Sequence, residues 1–160
     1  MKIVIALLVG LASASPVLAQ TNINLGGISA DPSAAVEISA DNLSVDQDTG
    51  TAVFSGNVVI GQGALRLSAG SVRVVYAEET GDIAQLMASG GVTFVTDTQA
   101  AEAASADYNL TTGQLTLSGN VLLSQGASAL SADKMTVDLT SGTAQMSGRV
   151  RTVFQQDGGN

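Results

Sequence analysis

The sequence predicts an all-β protein, a sheet of short strands built from four repeats and folded over along a line of glycines. Three observations predict it. A phrase of the form Ser-Gly-Xaa-Val recurs four times, apolar residues alternate with polar ones around it, and a Thr-Gly or Ser-Gly pair precedes each copy. A period of about 30 residues is typical of stacked supersecondary units that cannot bury their apolar faces alone.

The chain begins with a segment that is typical of an export signal. Lys2 supplies a positive charge, the apolar run Ile3 to Ala12 follows, and Val17-Leu18-Ala19 ends in a small residue. This order predicts a signal peptide over residues 1–19 that is cleaved after Ala19. The apolar run is too short to span a bilayer, so we expect an exported protein without a retained anchor.

The segments on either side of the repeats lack periodicity. Residues 20–35 and 155–160 are polar or glycine-rich, and we expect both to be flexible. The predicted β domain therefore extends over residues 36–154. Its first strand should lie near Val36 to Ala40 and its last near Arg149 to Phe154.

The composition excludes several functions. Six basic residues against fourteen acidic ones give a net charge of -8, which argues against nucleic acid as a partner. The chain has no Cys and no His, which excludes thiolate and histidine-based catalysis and most zinc sites. Acidic residues near turns, such as Asp46, Glu78 and Asp82, match no complete calcium loop. We expect no enzymatic activity, no metal and no cofactor.

The glycine of the repeated phrase falls on the apolar face in the middle of its strand. The four copies are Ser55-Gly56-Asn57-Val58, Ser89-Gly90-Gly91-Val92, Ser118-Gly119-Asn120-Val121 and Ser147-Gly148-Arg149-Val150. A glycine inside a strand is expected where the strand bends sharply or another backbone comes close. Four such glycines predict a continuous crease: Gly56, Gly90, Gly119 and Gly148.

Two further anchors accompany each copy. The turn pairs Thr49-Gly50, Thr80-Gly81, Thr112-Gly113 and Ser141-Gly142 mark strand reversals. A third anchor recurs as Ser39-Ala40-Asp41, Ser68-Ala69-Gly70, Ser105-Ala106-Asp107 and Ser131-Ala132-Asp133. In two repeats the parity of the apolar residues slips by one at this anchor, which requires a bulge or bend. We expect the anchor to form a second corner, opposite the glycine crease.

The alternation also predicts which side chains line the inner face. They are Ile38, Val45, Phe54, Val58, Ile60, Leu65, Leu67, Val72, Val74, Tyr76, Val92, Phe94, Tyr108, Leu110, Leu115, Leu117, Val121, Leu123, Leu130, Met135, Val137 and Leu139. Most are aliphatic, which suits a slot for flexible alkyl chains. A filled core would give the same pattern, so slot and filled core remain alternatives.

The ordered anchors and the export signal together resemble the OstA-like domain family, and within it the periplasmic lipopolysaccharide-transport proteins of Gram-negative bacteria. The resemblance covers about Val36 to Phe154. It implies a V-shaped antiparallel β-jellyroll of about sixteen short strands. It also implies a periplasmic protein that shields the acyl chains of lipopolysaccharide in an apolar groove lined by the residues above.

The resemblance further implies partners that carry similar folds. These are inner-membrane and outer-membrane transport components joined through edge strands, and further copies of the chain in a head-to-tail oligomer. The alternative is a structural β-solenoid scaffold with a filled core and no lipid ligand. A glycan-processing enzyme is disfavoured by the absence of His and of a convergent pair of acids.

Overall fold

The computed structural model describes residues 22–24 as backbone, and residues 31 and 33–154 in full. The predicted signal peptide, its cleavage after Ala19 and the predicted flexible tail over 155–160 lie outside the described residues. No helix in the described part of the chain is long and apolar enough to cross a membrane.

Thirteen strands form one antiparallel sheet in the described residues. They are β1 (Asn22–Asn24), β2 (Val36–Ser39), β3 (Asn42–Asp46), β4 (Thr51–Gln62), β5 (Leu65–Tyr76), β6 (Ile83–Ser89), β7 (Val92–Val95), β8 (Gln99–Ala103), β9 (Ser105–Asn109), β10 (Gln114–Gln125), β11 (Ser128–Asp138), β12 (Thr143–Ser147) and β13 (Arg151–Val153). The strand β1 lies within residues 20–35, which we expected to be flexible. These residues form a strand because their backbone pairs with β12.

Four long strands, β4, β5, β10 and β11, connect two limbs of the sheet. Each pairs with one short strand along half of its length and with a different one along the other half. The first limb contains β1, β3, β6, β9 and β12, and the second limb contains β2, β7, β8 and β13. The predicted all-β, V-shaped jellyroll is confirmed. The described residues contain thirteen strands where about sixteen were expected, because the long strands pass through the bend unbroken.

Side-chain caps shape the turns at the tip of the first limb. At the β3–β4 turn, Asp46 Oδ1 accepts hydrogen bonds from the backbone amides of Asp48 and Thr49 at 2.9 and 3.2 Å. Gly50 follows with φ of 59°, a conformation that side chains disfavour. Asp138 caps the β11–β12 turn in the same way through the amides of Thr140 and Ser141. The turn pairs predicted from the sequence therefore lie at strand reversals.

The bend between the limbs is built from paired residues with positive φ. Gly56 and Asn57 have φ of 79° and 47°, and they face the single residue Gly70 where the register of β4 and β5 shifts between Ser55 and Val58. An extra residue on one strand is a β-bulge, which turns that strand. The same shift lies between Ser118 and Val121 of β10.

The anchor that recurs as Ser39-Ala40-Asp41 and Ser131-Ala132-Asp133 lies in this same bend. The prediction that it forms a second corner opposite the crease was wrong. The amide of Asp41 donates to the carbonyl of Gly56 at 2.9 Å, and the amide of Asp133 donates to that of Gly148 at 2.8 Å. These bonds satisfy the glycine carbonyls that the bulges remove from the sheet ladder. The anchor and the glycine are thus two sides of one crease.

In the third repeat, the residue that contacts the crease glycine lies just before the anchor Ser105-Ala106-Asp107. Ala104, between β8 and β9, donates its amide to the carbonyl of Gly119 at 3.0 Å. Asp107 lies instead within β9 and accepts hydrogen bonds from Gln85. Position 119 has no room for a side chain, because a Cβ added to Gly119 would lie 2.7 Å from the Cβ of Ala104.

Candidate functional site

The inner faces of the two limbs enclose a single apolar core. Most residues predicted to line the inner face are buried in it, namely Val58, Ile60, Leu65, Leu67, Val72, Val74, Val92, Phe94, Tyr108, Leu115, Leu117, Val121, Leu123, Leu130, Met135, Val137 and Leu139. Ile38, Phe54 and Leu110 are partly buried and pack against this core. The pleat places them together, because alternate residues of every strand point to the same side.

Two of the predicted lining residues are exposed. Val45 is 61% exposed and Tyr76 is 36% exposed. Val45 lies opposite the buried Ala52, so it is on the inner face, but β3 is paired only with β4 in the described residues. Tyr76 is the last residue of β5, beyond a register shift next to Val75. For these two residues a position in the groove stays a prediction, and their exposure reflects their places at the ends of the sheet, which alternation does not show.

The predicted list omitted one leucine and several small and polar residues of the same face. Leu86 and several alanines, among them Ala88, Ala101 and Ala106, are buried in the core. Three polar side chains are also buried: Gln62 at 3%, Thr96 at 8% and Gln99 at 4% exposed. Gln62 shares the parity of Ile60, and this alternation was the only sequence signal for it. We did not predict Gln62 as a lining residue, because the prediction considered apolar and aromatic side chains only.

One buried hydrogen bond joins the two limbs. The hydroxyl of Tyr108, on β9 of the first limb, donates to Oε1 of Gln62 at 3.0 Å, at the tip of the second limb. The Nε2 of Gln62 donates in turn to the carbonyl of Ala34 at 3.3 Å. Burial raises the pKa of the Tyr108 phenol above its ordinary value of 10.0.

The space between the limbs is almost filled. A cavity of about 10 Å³ lies between them, and its walls include Val36, Leu65 and Leu86 with the hydrogen-bonded Gln62 and Tyr108. A space of this size holds about one water molecule. The inner faces of the two limbs are therefore packed against each other around this cavity.

The charged groups lie outside this interior. In the described part of the chain the buried polar side chains are the neutral Gln62, Thr96 and Gln99, together with the phenol of Tyr108. On the outside of the bend, the guanidinium of Arg149 hydrogen-bonds the carboxylate of Asp133, with Nε to oxygen distances of 2.9 and 3.2 Å. This bond lowers the pKa of Asp133 below 3.8. The interior can therefore exclude water from apolar groups, and its described residues present no charge to a ligand.

The fold and this interior define a two-limbed β-jellyroll with an aliphatic, uncharged inside. The family model described as "LptA/(LptD N-terminal domain) LPS transport protein" matches residues 37–143, and the chain belongs to this family. The resemblance to the lipopolysaccharide-transport proteins drawn from the sequence is confirmed. The comparison with curated proteins gave no match.

A solved structure shows the same fold. It is the crystal structure of LptH, described as the LptA homologous periplasmic component of the conserved lipopolysaccharide transport device from Pseudomonas aeruginosa. The TM-score is 0.71 at 17% sequence identity, and the match covers 79% of this chain and 99% of that chain. At this identity the likeness concerns the fold.

Proposed function

We propose that this protein is a periplasmic lipopolysaccharide-transport protein without catalytic activity, which shelters acyl chains of lipopolysaccharide between its two limbs. The observation that carries the proposal is the uncharged, mainly aliphatic inner face shared by both limbs. Membership of the LPS transport family supports it. Residues 1–19, as a cleaved signal peptide, would bring the protein to the periplasm.

The proposed ligand is held by burial of its hydrocarbon. Each methylene removed from water contributes about 0.8 kcal/mol, so about ten methylenes of one acyl chain contribute about 8 kcal/mol before opposing terms. The net charge of -8 opposes strong capture of an anionic head group. Binding through the acyl chains leaves the saccharide outside, which suits a carrier that must pass its ligand on.

Binding requires the limbs to part. The cavity of about 10 Å³ between the limbs is too small for an acyl chain. The bend is the natural hinge, because the register of β4 with β5 and of β10 with β11 is interrupted there. The acyl chain then contacts the side chains that faced each other in the closed form, and this offsets much of the cost of opening.

The ends of the sheet support the proposed assembly with proteins of similar fold. At one end, Leu43 and Val45 of β3 are 57% and 61% exposed, and they lie opposite Phe54 and Ala52 of the inner face. At the other end Phe154, after β13, is 73% exposed. An edge strand can accept a strand of another sheet. Head-to-tail addition would extend the inner face from one molecule into the next, and into inner-membrane and outer-membrane components.

A scaffold without lipid is the second candidate. The nearly filled interior favours it, because such a core is complete in the absence of any ligand. In that case the ends would still join sheets into a filament, but the limbs would never separate. The two candidates differ in whether acylated lipid binds.

Native mass spectrometry of the purified exported protein with lipid A, lipopolysaccharide and the deacylated saccharide tests this difference. Binding of the two acylated ligands alone supports the carrier. Binding of none supports the scaffold. Val137→Thr, which replaces one methyl group of a fully buried side chain by a hydroxyl, should weaken binding. Its control is Val59→Thr, the same change at a position of β4 that is 39% exposed, which should leave binding unchanged.

A further inference from the structure

Polar side chains form a row on the inner face at the tip of the second limb. We name Gln62, Thr96 and Gln99 the polar rim. Gln62 lies opposite Leu65 at the β4–β5 turn. Thr96 and Gln99 flank the β7–β8 turn, where the amide of Thr96 donates to the carbonyl of Gln99 at 2.9 Å. On the neighbouring strands β5 and β7, Arg66 pairs with Val95, one position further from this tip. Leu65 and Thr96 are therefore aligned in one row across the sheet.

Two members of the polar rim are buried without a hydrogen-bond partner in the described residues. These are both amide atoms of Gln99, at 4% exposure, and Oγ1 of Thr96, at 8% exposure. A buried polar group without a partner destabilises the folded state, and native proteins contain few of them. A ligand that supplies the missing partners would remove this cost.

Their positions in the strands place these side chains on the inner face of the sheet. Gln99 is two residues from Ala101, so both side chains lie on the same face of β8. Ala101 pairs with Phe94, and both are in the buried core. The Gln62 side chain reaches across to Tyr108 of the opposite limb. The polar rim thus lies where the alkyl part of a ligand would end.

The facing rim of the first limb has a different chemistry. Near its tip the inner-face residues are Ile83, Leu110 and Leu139, and all three belong to or pack against the core. Apart from the Tyr108 hydroxyl of the first limb, the hydrogen-bonding groups at the tips are therefore concentrated on the second limb. The rim side chains are neutral, so they match carbonyl, hydroxyl and amide groups rather than a phosphate, for which charged donors are the stronger partners.

We propose that the polar rim binds the polar start of an acyl chain, namely the ester or amide carbonyl together with a hydroxyl near it, as in a 3-hydroxyacyl group. This inference deepens the proposed function and rests on it. A primary amide both donates and accepts, as does a hydroxyl. The Gln99 amide N–H therefore donates to the carbonyl, while its Oε1 and Thr96 Oγ1 serve the ligand hydroxyl. The rim sets how deep the chain enters and leaves the saccharide outside.

Titration calorimetry with three glycolipids of equal chain length tests the proposal: 3-hydroxytetradecanoyl glucosamine, tetradecanoyl glucosamine and tetradecyl glucoside. The last has no carbonyl. The wild-type protein should bind the hydroxyacyl compound about tenfold more tightly than the alkyl glucoside. In Gln99→Leu this preference should disappear, while the affinity for the alkyl glucoside stays the same.

A purely structural glutamine would behave differently. Gln99→Leu removes an unpartnered buried amide, so it should keep or raise the midpoint of urea unfolding while the ligand preference is lost. Gln145→Leu, at an exposed position of β12, is the matched control and should change neither property. Equal binding of all three glycolipids by the wild type, or an unchanged preference in Gln99→Leu, overturns the inference and leaves the carrier function standing. Binding of none of them overturns both.

Discussion

The hydroxyl of Tyr108 donates a hydrogen bond to Oε1 of Gln62 at 3.0 Å, and this bond joins β9 of the first limb to the end of β4 in the second. It is a buried polar contact that has to break if the limbs separate. Tyr108→Phe should therefore lower the free energy of unfolding by about 1–3 kcal/mol, because Gln62 Oε1 loses its partner while buried. Urea unfolding followed by circular dichroism measures this change.

The same substitution should make opening easier. In stopped-flow binding of lipid A, Tyr108→Phe should bind faster than wild type. Tyr76→Phe is the matched control, because Tyr76 is 36% exposed at the end of β5. It should change the free energy of unfolding by less than about 0.5 kcal/mol and leave the rate unchanged. Equal effects of the two substitutions would contradict a closing role for Tyr108.

The ionisation of Tyr108 makes the stability depend on alkaline pH. Burial raises the pKa of Tyr108 in the folded protein above 10.0, its value in the unfolded chain. Between these two pKa values the folded state holds a proton that the unfolded state has lost. The contribution of the protonated Tyr108 phenol to the free energy of unfolding is therefore fully present below pH 10.0 and is lost as the pH rises through the folded pKa. Tyrosinate absorbance of the wild type minus that of Tyr108→Phe should titrate above pH 10.0, and a midpoint at or below it would disprove the shift.

The bend should tolerate no side chain at Gly119. Its φ is 85°, and an added Cβ would lie 2.7 Å from Cβ of Ala104. Gly119→Ala should lower the free energy of unfolding by about 2–5 kcal/mol, of which about 1–2 reflects the left-handed backbone and the rest overpacking. Differential scanning calorimetry or urea unfolding measures the loss.

A turn glycine separates these two causes. Gly126 also has positive φ, 57°, but an added Cβ meets no atom within 4 Å. Gly126→Ala should therefore lose only the backbone part, about 1–2 kcal/mol. Ala104→Gly combined with Gly119→Ala should recover the free energy of unfolding that Gly119→Ala alone loses through overpacking. If the double variant were as unstable as Gly119→Ala, the contact with Ala104 would not be the cause.

The pair Asp133 and Arg149 makes the bend sensitive to acid. The hydrogen bond from Arg149 is the main cause that holds the folded pKa of Asp133 below 3.8. Its stabilising contribution is present above pH 3.8 and is lost as the pH falls through the folded pKa. Asp133→Asn should therefore be less stable than wild type near neutral pH, and the gap should close at pH values well below 3.8. A gap that stays constant with pH would contradict the role of this pair.

Leu43 at the edge of β3 should take part in end-to-end association. Leu43→Lys should raise the dissociation constant of self-association about 10- to 100-fold, because it removes one large apolar side chain from the contact. Sedimentation velocity at increasing concentration measures it. Leu122→Lys is the control, since Leu122 is 39% exposed on the outer face of the long strand β10. Equal loss of association in both variants would indicate general repulsion instead.

The sequence by itself determined the strands, their turns and the composition of the inner face. The alternation around Leu115 to Leu123 and the Thr-Gly or Ser-Gly pairs are local signals, because the pleat has a period of two and turns require particular backbone angles. Most of the predicted lining residues are therefore buried. The Gly-Xaa pairs also marked the positions at which the register shifts.

The tertiary structure alone decided which strands pair, where the sheet ends and how the limbs meet. It exposes Val45 at an edge, puts Ala104 rather than Asp107 into the bend, and buries Gln99 without a partner. It also brings Tyr108 to Gln62, which lies 46 residues earlier in the chain. Such facts depend on neighbours that are distant in sequence, and the alternation of one strand carries no information about which strand, if any, lies beside it.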